Sequence, residues 1–125
     1  MPKSPHEMTA EETQNYLDAH SATENSLNSA LTKFQTLAAG ATTPAKKAEY
    51  NAAALEATRE LALLSNKRAA FDADTAIISP PDRAMVQRTQ RISAQVAQIQ
   101  ATEGNFQAIV AGMTSAANLF KTIQA

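Results

Sequence analysis

The segment SPPDRAMVQRTQRISAQVAQIQATEGNFQAIVAGMTSAANLF, residues 79–120, repeats a step of four and then three: Met85, Thr89, Ile92, Val96, Ile99, Glu103, Phe106, Val110, Met113, Ala117 and Phe120. That is the heptad spacing of a helix burying one stripe against partners. Ser79-Pro80-Pro81-Asp82 stands ahead of it, with Asp82 suited to cap a helix start. Gly104, within Thr102-Glu103-Gly104-Asn105, offers a turn, and a glycine inside a helix costs about 1 kcal/mol against alanine. The seam passes through Gly104 without changing phase. The spacing therefore predicts one long helix, with a break at Gly104, and so four helices, as the alternative.

Two further segments precede it. Thr9 followed by Glu12 has the form of a capping box, in which hydroxyl and carboxylate each satisfy a free backbone N–H. From there the stripe Leu17, His20, Glu24, Leu27, Leu31, Phe34 and Ala38 predicts a helix to Ala39, with Gly40 available for a left-handed C′ position. Thr43-Pro44 restarts the chain as N-cap and first helical residue. Tyr50, Ala54, Ala57, Leu61, Leu64, Arg68, Phe71, Thr75 and Ile78 then form a stripe that carries the second helix to about Ile78. Short connections make neighbouring helices antiparallel. The expectation is an all-α, up-down-up bundle of three long helices with coiled-coil-like packing, one domain over 9–125, and a flexible tail over 1–8.

Composition agrees. The 125 residues include 27 Ala against only 3 Gly and 5 Pro, which favours helix over sheet. Hydrophobic residues make up 44%, enough for a core. Eleven Lys and Arg against twelve Asp and Glu give a net charge of −1, which argues against a strongly basic nucleic-acid binder. With no Cys, disulfide scaffolds, cysteine-ligated zinc and thiol catalysis are excluded. No window reaches the roughly 20 apolar residues of a membrane span. The start, Met1-Pro2-Lys3-Ser4-Pro5-His6-Glu7, lacks a secretory leader's pattern. Cytoplasmic synthesis is expected, and export without a cleaved signal stays compatible with it.

His20, Glu24 and Glu103 stand where the stripes call for apolar side chains. Matching helix levels at a rise of about 1.5 Å per residue puts Glu24, Arg59 and Glu103 near one another, as a candidate buried polar layer. Such a layer sets register in a bundle. His20 with Glu24 is the candidate metal pair, but the Glu-x-x-His step of di-metal bundles is absent. No phosphate loop, nucleophile elbow or His-Glu-x-x-His motif occurs. Arg83, Arg88 and Arg91, with Lys67 and Arg68 at a similar level, form a modest basic patch without interleaved aromatics, and read as a solvated face. No catalytic residue, cofactor, metal or small-molecule substrate is indicated.

The last segment has one unusual property. From Ile92 to Phe120 the only charged residue is Glu103. Away from the seam stand Ser93, Gln95, Gln98, Gln100, Asn105, Gln107, Ser115 and Asn118, with Ala94, Ala97, Ala101, Ala108, Ala111 and Gly112 between them. Solvent-facing helices normally carry Lys and Glu there. Small neutral residues let another helix approach with little charge to desolvate. The pattern Pro81-Asp82 … Met85-Val86-Gln87 … Gln90-Arg91-Ile92-Ser93 … Gln98-Ile99 … Val110 … Ala116 … Leu119-Phe120-Lys121-Thr122-Ile123-Gln124 resembles the C-terminal helix of type III secretion inner-rod and flagellar rod-adaptor subunits. The resemblance implies a non-catalytic building block, exported without a cleaved signal and buried in a tubular assembly. The well-capped first two helices depart from that family's pattern.

The expectation is a non-enzymatic helical protein that packs against protein, either by self-association or on a partner. Ile92, Val96, Ile99, Phe106, Val110, Met113 and Phe120 supply its seam, and the uncharged outer face is its contact surface. The alternatives are a soluble adaptor, chaperone or toxin-neutralising protein with one partner and, more remotely, a carboxylate/His metal-binding bundle.

Overall fold

Thr9 Oγ1 accepts the Glu12 N–H at 3.0 Å, and Glu12 Oε1 accepts the Thr9 N–H at 2.9 Å. The expected capping box thus opens α1, Ala10–Ala39, in the computed structural model, which describes residues 1–125. Lys3 Nζ donates to the same carboxylate at 2.8 Å. This contact, and then the Thr9 N–H, hold the Glu12 carboxyl below its ordinary pKa. At the other end Gly40 has φ −96°, so α1 closes without the left-handed residue expected there. Thr43 Oγ1 accepts the Lys46 N–H at 3.2 Å, and Pro44 is the first residue of α2, Pro44–Asp72.

α2 stops short of Ile78, and Asp74 is the reason. Its φ of 58° is the only positive value in the chain. The Asp74 N–H donates to the Phe71 carbonyl at 3.1 Å and the Thr75 N–H to the Ala70 carbonyl at 3.0 Å. These are the paired bonds of a Schellman stop, built on an aspartate where glycine is usual. The Asp74 carboxylate also accepts the His6 N–H at 3.1 Å and lies 2.7 Å from His6 Nδ1. Lys3 and Ile78 exchange backbone hydrogen bonds of 2.7 and 2.8 Å. The segment read from the sequence as a tail over 1–8 is therefore joined to the fold at Lys3 and His6. Asp74→Ala keeps a Cβ at positive φ but loses the side-chain bonds to His6, and should cost about 1 kcal/mol in urea unfolding. Asp74→Gly should cost less, and the reverse order would contradict this account of the stop.

Asp82 Oδ1 accepts the Met85 N–H at 2.8 Å and caps α3, Arg83–Gln98. The expectation of one continuous third helix is then corrected. Ile99 is extended at φ −72°, ψ 123°, a single 3-10 turn covers Glu103–Asn105, and α4 runs Phe106–Lys121. In one straight helix Val96 and Gly112 would lie about 24 Å apart. Here they touch, because α4 doubles back along α3. The chain is a four-helix, all-α fold. Residues 83–121 thus form a helical hairpin.

The core explains why the chain reverses. Phe106 meets Phe34 of α1 at 5.6 Å and Tyr50 of α2 at 5.0 Å, both edge to face, under the α1–α2 turn. At the other end Tyr16 stacks on Phe71 at 4.0 Å, and Phe120 closes on Tyr16 at 5.7 Å and His20 at 5.6 Å. A straight extension would leave one of these clusters without its α4 ring. α1 is the central element, packed along α2, α3 and α4. It buries Ala19, Ala22, Ser26 and Ala30 between its larger side chains, so neighbours approach closely on several sides. α2 buries only Tyr50, Ala57, Leu64 and Phe71, one residue in every seven. No helix is long and apolar enough to cross a membrane.

Candidate functional site

The structure separates the three residues expected to form a buried polar layer. Glu24 is exposed on α1, because burial there falls at Ala19–His20, Ala22–Thr23 and Ser26–Leu27 and skips it. Arg59 is exposed on α2 and pairs with Glu56 at 3.5 Å. Glu103 lies in the turn between α3 and α4, largely exposed and ion-paired with Lys46 at the start of α2. Glu103 would reach mid-bundle only on an unbroken third helix. His20 is buried and donates from Nε2 to the Leu64 carbonyl at 3.1 Å, which ties α1 to α2. No group of three His, Asp or Glu is placed to hold a metal ion.

The basic residues also separate. Arg83 sits 3.5 Å from Asp18, Arg68 pairs with Asp72 at 3.1 Å, and the Lys67 amine lies 5.7 Å above the Phe120 ring. Arg88 and Arg91 stay exposed on α3. Two interactions had little sequence signal. Lys33 Nζ donates to the Ala97 carbonyl at 3.3 Å, a cation at the C-terminal end of α3. Tyr16 donates to Gln124 Oε1 at 2.6 Å while Gln124 Nε2 donates to the Lys67 carbonyl at 2.8 Å. Burial pushes the Tyr16 phenol far above its usual pKa, so this hydroxyl remains a donor.

Of the expected seam, Val96, Phe106, Met113 and Phe120 are buried, while Ile92, Ile99 and Val110 are half-buried. Ile109, which the heptad count passed over, is fully buried. Counted afresh from Phe106, the inward positions are Phe106, Ile109, Met113, Ala116–Ala117 and Phe120, the ordinary 3.6-residue period of a new helix. The half-buried residues have a structural meaning: Ile92 and Ile99 line a groove between α3 and α4.

That groove has a volume of about 680 Å³ and is lined chiefly by Ile92, Ile99, Ala108, Ala111 and Ser115, with Arg88 as its one charged residue. Its floor is set where the helices cross at Gly112. A Cβ there would fall 2.5 Å from Val96 Cγ2, inside any tolerable contact. Val96 is branched at Cβ and fully buried, so it has little freedom to move aside. Gly112→Ala should therefore lower stability by about 1–3 kcal/mol before the helix-propensity gain of about 1. Adding Val96→Ala should suppress that penalty in a double-mutant cycle followed by urea unfolding, and strictly additive changes would mean the crossing is not this close.

Comparison with protein-family models, curated proteins and solved structures finds no match. The chemistry of the groove has to speak for itself. It offers apolar branches, small side chains and neutral amides, a surface suited to side chains from another helix.

Proposed function

We propose that the chain is a non-enzymatic helical interaction protein whose contact surface is the α3–α4 face, and that a second copy of the same chain occupies it. The observation that carries this reading is the groove itself, walled by Ile92, Ile99, Ala108 and Ala111 with a single charged residue. In a twofold contact a surface must suit itself. A face rich in one sign of charge repels its copy; a neutral face of small side chains meets its copy with little to desolvate. Assembly of the kind implied by the rod-subunit resemblance belongs to this reading, as does synthesis in the cytoplasm.

Light scattering on a size-exclusion column over a hundredfold concentration range tests it. The mass should rise above 13.3 kDa with concentration. Ala108→Lys or Ala111→Lys should return the protein to the monomer without unfolding it, since both residues are exposed. A constant monomer mass would remove self-association and transfer the face to a different soluble protein partner. Normal assembly by both lysine variants would remove the face.

A further inference from the structure

A second groove, sharing no lining residue with the first, lies where the end of α2 meets residues 75–77 and the residues after α4. Its volume is about 780 Å³. Four large hydrophobic residues of the chain are substantially exposed, and two of them, Leu63 at 48% and Ile77 at 64%, line this groove.

The exposure of Ile77 follows from how its segment is held. Ile78 is bonded through its N–H and C=O to Lys3, and the Ser79 N–H donates to the Ile123 carbonyl at 2.8 Å. In this extended stretch side chains alternate, so Ala76 and Ile78 are buried and Ile77 points outward. Rotating Ile77 inward would expose Ile78, which is now completely covered. The Ile77 N–H and C=O also have no partner within the chain.

The charged side chains lining the groove are Lys67 and Lys121, beside Gln124 and Ala125, the last residue of the sequence. Burial, and then the charge of Lys121, lower the Lys67 pKa, while Glu60 acts in the opposite direction. The site thus combines two protruding apolar side chains, a pair of cations that repel one another, and unpaired main-chain groups in extended geometry.

We propose that this groove docks an extended peptide segment of a protein partner, one that presents apolar side chains beside carboxylates. The carboxylates answer Lys67 and Lys121, the apolar side chains cover Leu63 and Ile77, and the peptide's main chain pairs with Ile77. An extended main chain gains hydrogen bonds at such a segment that a simple amphiphile has no groups to make.

The test is an amide NMR titration of the full chain with acetyl-Glu-Val-Leu-Glu-amide and with its twin carrying Lys in both Glu positions. The Glu peptide should move the amides of Leu63, Lys67, Ile77 and Lys121 saturably, and the Lys peptide should bind about tenfold more weakly. The double variant Lys67→Glu/Lys121→Glu should reverse that preference, and Ile77→Ser should weaken both peptides. Unchanged circular dichroism in these surface variants separates lost binding from lost fold. No saturable movement at millimolar peptide, equal binding of both peptides, or movement confined to the α3–α4 groove would each overturn the proposal. So would decanoate matching the Glu peptide in affinity at the same residues, which would assign the groove to a small carboxylate amphiphile.

Discussion

Phe106→Ala should lower the stability of the fold by about 3–5 kcal/mol, the usual cost of removing a buried phenyl group. The ring is 8% exposed and wedged edge to face between Phe34 and Tyr50, so its loss leaves two further aromatic rings facing a cavity. The effect reaches beyond one contact, because Phe106 is the first residue of α4 and holds the reversed helix against the α1–α2 turn. Urea unfolding should show a lower midpoint. Amide exchange should show its largest increase around the Ile99–Asn105 turn. A loss below about 1 kcal/mol would mean that other contacts suffice to hold α4 back along α3.

Phe120→Ala should cost about as much, at the opposite end of the same helix. The ring is 1% exposed and closes the cluster of Tyr16, Phe71 and His20. Removing it also uncovers the His20 bond to the Leu64 carbonyl. The two rings lie about 21 Å apart along α4, so their costs should add. The sum, about 6–10 kcal/mol, approaches the 5–15 kcal/mol that a domain of this size typically holds. The double variant should accordingly be largely unfolded at room temperature by circular dichroism. A folded double variant would show that the two clusters are not independent supports.

The starts of α1, α2 and α3 were legible because capping is local: Thr9 with Glu12, Thr43 with Pro44, and Asp82 each announce themselves within four residues, whereas α4 starts with no side-chain cap. The helix stops were less so. Asp74 ends α2 through a backbone conformation that glycine usually marks, and the stripe continuing through Thr75 and Ile78 hid the stop. Ile78 is indeed buried, but as an extended residue bonded to Lys3. The α3–α4 break was legible only as the alternative turn at Gly104, which the unbroken heptad phase outweighed. Ile99 and Phe106 are seven residues apart, the first half-buried and the second buried, so the heptad phase runs unbroken through the reversal. Periodicity reports which side chains are covered and not whether the axis between them is straight. The expected polar layer is absent at all three positions: Glu103 belongs to the turn, and Glu24 and Arg59 stand on exposed faces of α1 and α2. The uncharged face of the last segment was legible as composition; its shape as a groove needed the hairpin.

The sparse burial of α2 bears on motion. α2 has its most extensive contact with α1 and only a small one with α4, at Tyr50 and Phe106, whereas α1, α3 and α4 all cover one another. Segments with few buried apolar contacts open at lower free energy than the rest of a protein, and often as a unit. In native-state exchange the amides of α2 should exchange together and ahead of those of α1, whose central position makes it the last element to release its protons. The bundle would then breathe by detaching one strap from a three-helix remainder, its ends restrained by the Gln124 bond to Lys67 and the Lys3 pairing with Ile78.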